Sequence, residues 1–229
     1  MVAPMAKPPK VPTYHRAPKE KARIQALFER FESATAHPRT ELNYRTPFEL
    51  VTAVALSAQA TDVGVNKATA KLFAAANTPQ AILALGEAGV ISFINSIGLF
   101  RNKAKNLIAM SRLLIERHGG AVPLDRQALQ ELPGVGRKTA SVVLNELNVE
   151  PAIAVDTHVF RVSHRLGLSA AKKPDAVDLE LTAIIPAPFL TRAHHWLILH
   201  GRYICIARRP KCHECPVAGL CPSRDLFFP

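Results

Sequence analysis

Nine consecutive residues, Leu132-Pro133-Gly134-Val135-Gly136-Arg137-Lys138-Thr139-Ala140, have the types and spacing to do chemistry. A Pro-Gly-x-Gly turn stands between two helical patterns. Asp125 caps the first, which carries Ala128, Leu129 and Leu132 on one face. Val143, Leu144 and Leu147 share a face of the second. Glycine permits positive φ and a close backbone approach to a partner. The N–H groups of the turn and of the following helix then make an anion-binding spot. Gly134, Val135, Gly136 and Arg137 are the residues expected to meet a phosphate there. Lys138 falls in the first turn of the second helix, at the positive end of the dipole and beside Arg137. Both neighbours disfavour a further positive charge, which is how a protein prepares a nucleophilic amine.

All four cysteines lie in the last part of the chain, as Cys205-x6-Cys212-x2-Cys215-x5-Cys221. Two disulfides are not expected in a reducing compartment, so the cluster reads as a metal site. Zinc prefers Cys-x2-Cys knuckles on both halves. Only Cys212 and Cys215 make one, and the wider gaps favour a [4Fe–4S] cluster over zinc. Between the first two ligands stand Arg208, Arg209 and Lys211. Ligation at both ends would hold these charges in place for a phosphate.

The bulk composition agrees with such a partner. The 229 residues include 29 Lys and Arg against 18 Asp and Glu, a net charge of +11. A polyanion, nucleic acid first, is the expected partner. No apolar run approaches the ~20 residues of a membrane span, and no signal peptide or lipidation motif stands out. A soluble cytoplasmic protein is expected.

The elements that must position these groups are helical. Met1 to Pro18, rich in proline and lysine, reads as a mobile basic arm. From Lys19, Ile24, Leu27, Phe28 and Phe31 follow a helical period. Thr46-Pro47-Phe48-Glu49 is a capping box for a helix through Leu56. Thr61 or Asp62 caps the next, and Thr78-Pro79 opens a short third. Val90–Ile97 and Lys103–His118 follow, stopped by Gly98 and Gly119-Gly120. Asp156 can cap a helix to Leu166, Pro174–Ile185 forms another, and Leu190–Cys205 the last. Strand alternation is scarce, so the fold class is all-α.

Together these pieces resemble the endonuclease III family, helix-hairpin-helix DNA glycosylases and abasic lyases of bacterial base-excision repair. The matching stretches are Leu56 to Asp62, Ile97-Gly98-Leu99, Leu132 to Ala140, Ala154-Val155-Asp156-Thr157-His158 and the four cysteines. The resemblance implies two helical lobes with a DNA cleft between them. One is a six-helix bundle over 40–150 that contains the helix-hairpin-helix. The other joins 19–39 to 151–229 and holds a structural [4Fe–4S] cluster loop. It implies that Gln59 fills the space left by an extruded nucleotide and that Leu99 wedges the opposite strand. Lys138 would attack the sugar C1′, with Asp156 stabilising positive charge on the sugar and His158 touching the phosphate. The implied activity is removal of oxidised pyrimidines, then strand cleavage 3′ to the lesion by β-elimination, by a monomer on bacterial nucleoid DNA. Two other readings remain. An adenine-type monofunctional glycosylase usually lacks this lysine and carries a further C-terminal domain, whereas this chain ends soon after Cys221. A non-catalytic iron–sulfur DNA-binding protein would bind without cleaving.

Overall fold

The structure, a computed structural model, describes residues 17–227. Among them there is no β-strand. The helices are α1 Pro18–Ala34, α2 Pro47–Leu56, α3 Asp62–Ala75, α4 Pro79–Ile94, α5 Phe100–His118, α6 Arg126–Glu131, α7 Arg137–Glu146, α8 Thr157–Arg165, α9 Pro174–Ile184 and α10 Ala187–Tyr203. Three single 3-10 turns follow α10. The all-α class expected from the scarcity of strand alternation is therefore what forms. Residues 1–16, most of the expected basic arm, lie outside the described residues, and Pro18 already belongs to α1.

The chain divides into two compact units, Arg39–Ala154 and the described parts of Met1–Pro38 with Val155–Pro229. Arg39–Ala154 holds α2 to α7 around a core that includes Leu50, Leu72, Ile82, Met110, Leu114 and Leu144. Side-chain caps start its helices where the sequence places them. Thr46 Oγ1 accepts from Glu49 N at 3.1 Å, while Glu49 Oε2 accepts from Arg45 N at 2.6 Å, one residue outside a strict box. Thr61, not Asp62, caps α3, accepting from Gly64 N at 3.2 Å. Asp125 caps α6 through Ala128 N at 2.8 Å.

Several helix boundaries differ from those expected from the sequence. The helices expected at Thr78-Pro79 and Val90–Ile97 run on as α4 but change direction at Gly86, whose φ of 70° and ψ of 170° suit glycine. The second piece stops at Ile94 rather than Ile97, because Ile97 N donates to Ile94 O in a turn. That turn delivers Leu99 in the left-handed region, and Lys103 N donates to Leu99 O, so α5 begins at Phe100 rather than Lys103. α10 begins at Ala187 rather than Leu190, since Pro188 falls in its first turn, where a missing N–H costs nothing. It ends at Tyr203, before Cys205.

In the other unit, α1 lays Phe28 and Phe31 against Phe189 and Trp196 of α10, with ring centroids 6.0 to 6.4 Å apart. Trp196 Nε1 donates to Thr35 O at 2.8 Å and fixes the end of α1. α8 packs on α10 at Gly201, where a Cβ would stand 2.8 Å from His158 Cβ.

Candidate active site

The hairpin before α7 is built by two backbone choices. Gly134 takes φ +82°, a conformation that strains any side chain, and a Cβ there would meet Asn106 Cβ at 3.2 Å. Val135 N then donates to Leu132 O at 3.0 Å and closes the turn. Val135 itself is 5% exposed. Expected among the DNA contacts, it instead sends its side chain into the core and spends its N–H inside the hairpin. Its part is to anchor the turn. Gly136 is the N-cap of α7, and no side chain caps that end. A helix start without a side-chain cap is suited to an anion. Arg137 and Lys138 are both exposed there.

Two more expected DNA contacts share an unusual backbone. Gln59 (φ 54°) and Leu99 (φ 59°) are two of three non-glycine residues with positive φ among the described residues. Such backbones cost of order 1–3 kcal/mol and gather at functional turns. Gln59 is exposed, and Leu99 is 57% exposed, which is unusual for leucine. A Cβ on Gly98 would stand 3.5 Å from Gln59 O, so the two turns are neighbours.

Asp156 belongs to the other unit, as the N-cap of α8. Its Oδ1 accepts from His158 N at 2.8 Å and from Val159 N at 2.7 Å. Both bonds use the same oxygen, so the rotamer is fixed while neither engages Oδ2. His158 Nδ1 lies 3.3 Å from Arg161 Nη2. The guanidinium donates there, which leaves only Nε2 of this histidine for a phosphate.

The four cysteines line one cavity together with Leu166, His200 and Ile204. Burial pushes the Cys215 thiol up to about 11, and the other three thiols add like charge. Burial raises Cys221 as well, with Cys205 and Cys212 adding to it. Such thiols stay protonated until a metal replaces the proton. Among the described residues no three His, Cys, Asp or Glu side chains could hold a single metal ion. Four thiols around a shared cavity, with one thiolate for each corner, fit a four-iron cluster. Cys215 Sγ sits 3.6 Å from His200 Nε2, and burial lowers His200 to about 4. In the loop between the first two cysteines, Arg208 and Arg209 are exposed, while Lys211 Nζ pairs with Glu214 Oε2 at 3.8 Å.

Comparison with known proteins places these features. Residues 52–187 match the family model of the HhH-GPD superfamily base excision DNA repair proteins. Residues 205–221 match that of the iron–sulfur binding domain of endonuclease III. Endonuclease III of Escherichia coli is 53% identical over 90% of this chain and 97% of its own length. That of Haemophilus influenzae is 55% identical over 89% of this chain and 96% of its own length. A solved structure of a trapped endonuclease III–DNA covalent intermediate superposes with TM-score 0.83 and 43% identity, over 90% of this chain and 97% of that one. The chain belongs to the endonuclease III family. It is a base-excision repair enzyme, a DNA glycosylase that is also an abasic-site lyase, and it binds DNA. It carries a [4Fe–4S] cluster, and the matching iron–sulfur domain, 205–221, spans all four cysteines.

Several residues that serve this endonuclease III fold escaped the sequence reading. Arg165, at the end of α8, donates to Ile206 O at 2.8 Å and Ala207 O at 2.7 Å, and so moulds the loop between Cys205 and Cys212. Arg23 of α1 bonds Leu166 O at 3.0 Å and Leu220 O at 2.8 Å, tying down the last cysteine's approach. Arg165 had one faint signal, a basic residue in the last turn of a helix. Arg23 had none.

Proposed function

We propose that this enzyme excises oxidised pyrimidines from duplex DNA and uses Lys138 as its nucleophile. Lys138 supports this role by its exposure in the first turn of a helix whose N-cap is a glycine. The open N–H groups of α7 hold a backbone phosphate beside the lesion, and the nucleotide must leave the stack before its sugar can be reached. Gln59 enters the vacated space, Leu99 parts the opposite strand, and Arg208 and Arg209 hold a further phosphate. Their exposure and the positive φ of both inserting residues support these roles.

The uncharged Lys138 amine donates its lone pair to C1′. The N-glycosidic bond breaks, and its electron pair leaves with the base, which is protonated on departure. Positive charge on the sugar is met by the Asp156 carboxylate. A proton passes from Lys138 Nζ to the ring oxygen as the C1′–O4′ bond breaks, which leaves a protonated imine between Nζ and C1′ and acidifies the C2′ proton. A base removes that proton, and the C3′–O bond breaks with its electrons leaving on the phosphate. Water then releases the unsaturated aldehyde and restores the amine. The cluster, held by Cys205, Cys212, Cys215 and Cys221, supplies structural support and no step of this sequence. One polypeptide supplies every group used, so a monomer working on the DNA of the bacterial cytoplasm suffices.

The test presents two duplexes, one with thymine glycol and one with an A·8-oxoguanine pair. The expected result is excision and a nick at thymine glycol alone. Excision of adenine without a nick would replace this reading with an adenine-type glycosylase. Binding without cleavage of either would leave a DNA-binding protein.

A further inference from the structure

Within Arg39–Ala154, the turns at Ala58 and Leu99 and the hairpin at Pro133-Gly134 line a single cavity of about 160 Å³. That is many times the ~15 Å³ needed for one water. Thr52 of α2 and Lys103 of α5 line it too, and no Asp or Glu does. Thr52 is fully buried and Lys103 is 8% exposed. Thr52 Oγ1 and Lys103 Nζ are both buried with no hydrogen-bond partner.

A buried ammonium without a partner is a costly arrangement, and folds keep one where a ligand completes it. Burial also lowers the amine's pKa from its ordinary value. The other polar groups at hand are donors or can turn to donate. Asn102 and Asn106 offer amides. Leu99 caps α5 with no side-chain acceptor, so that helix also presents its positive end. Such a lining calls for a compact anion that accepts on several oxygens.

We propose that Lys103 and Thr52 form the floor of a pocket for a tetrahedral phosphate group, brought by the DNA strand that passes the hairpin or by free inorganic phosphate. The DNA source rests on the reading of this chain as a DNA-repair enzyme. It gives the hairpin a companion site. One phosphate meets backbone N–H groups at α7, and another meets a side-chain cation between α2 and α5.

The test uses Lys103→Met, which keeps the apolar stem and removes the charge, and Thr52→Val, which keeps the shape. Both should fold, with melting temperatures at or above that of the parent. Binding to an undamaged duplex is followed by fluorescence anisotropy across a salt series. Lys103→Met should weaken binding about tenfold at low salt and reduce the slope of log K against log salt by about 0.9, the worth of one phosphate contact. Thr52→Val should weaken it less, in the same direction. In a second arm, inorganic phosphate should raise the melting temperature of the parent and not of Lys103→Met. A change in slope assigns the pocket to the DNA strand. A phosphate-dependent melting shift with an unchanged slope assigns it to free phosphate. If slope, affinity and phosphate response are the same in all three proteins, the proposal is wrong. Undamaged DNA keeps this result apart from the repair chemistry, which a separate nick at thymine glycol would still establish.

Discussion

Two helices of this enzyme begin in opposite ways. α8 starts under a carboxylate, with Asp156 Oδ1 accepting from two backbone N–H groups. α7 starts at Gly136, which has no side chain to cap it, with Arg137 and Lys138 exposed in its first turn. The first end is closed by the protein itself. The second keeps a positive field for something from outside. The same backbone feature thus gives stability in one unit and, in the other, the place where we propose that DNA is held. It also explains why the two proposed catalytic side chains differ so much in setting. Asp156 is locked by its cap, while Lys138 stands on a glycine turn in the open.

Substitution at the closed end should separate its two tasks, with the largest effect of the series. Asn caps as well as Asp, so Asp156→Asn should melt close to the parent. It should still lose about 10²- to 10³-fold in single-turnover excision, the scale for removing one group that stabilises transition-state charge. Asp156→Ala should lose the same activity and about 1 kcal/mol of stability besides. Equal activity in Asp156→Asn and the parent would reduce this residue to a cap.

At the open end, Gly134→Ala forces a side chain into φ +82° and against Asn106. It should cost about 1–3 kcal/mol in urea unfolding and weaken DNA binding with it. Gly136→Asp makes α7 resemble α8. Gly136 has extended backbone with φ −90°, and a Cβ there meets nothing within 4 Å. The variant should gain a few tenths of a kcal/mol while binding a duplex about tenfold less well, because the new carboxylate takes the phosphate's place. Tighter binding by this variant would break the comparison.

The smallest effect belongs to a control that touches neither end. Tyr44 Oη donates to Glu146 Oε1 at 2.8 Å, and burial, then this bond, raise the phenol to about 12. Tyr44→Phe should cost about 0.5–1 kcal/mol. A phenol with a raised folded value stabilises fully below its unfolded value of ~10. That contribution fades as pH climbs from ~10 towards 12. The difference between Tyr44→Phe and the parent should therefore narrow over that range, in pH-dependent urea titrations.

Much of this was legible in the chain because it is local. Caps at Thr46, Thr61, Asp125 and Asp156 follow from residues three or fewer positions apart, and the Gly134 turn from its own dipeptide. The cysteine spacing likewise limits the metal. What local pattern hides is contact across long separations. Arg165 reaches Ala207, and Arg23 reaches Leu220, through carbonyls that no spacing rule connects. The left-handed backbones of Gln59 and Leu99 were hidden too, since neither is glycine. Lys103 did leave a sign, for it shares a helical face with Leu107, Met110 and Leu114, all buried. A lysine on that stripe signals a burial that its charge resists. Val135 shows the reverse case: within a glycine turn its side chain is turned into the core.

An amine in the first turn of α7 is expected to form the covalent bond to DNA. The direct measurement is reduction with borohydride during reaction on an abasic duplex, followed by peptide mapping of the adduct by mass spectrometry. The expected result is a single modified residue, Lys138, and no adduct in Lys138→Gln. An adduct mapped to any other amine, or one that persists in Lys138→Gln, would contradict it.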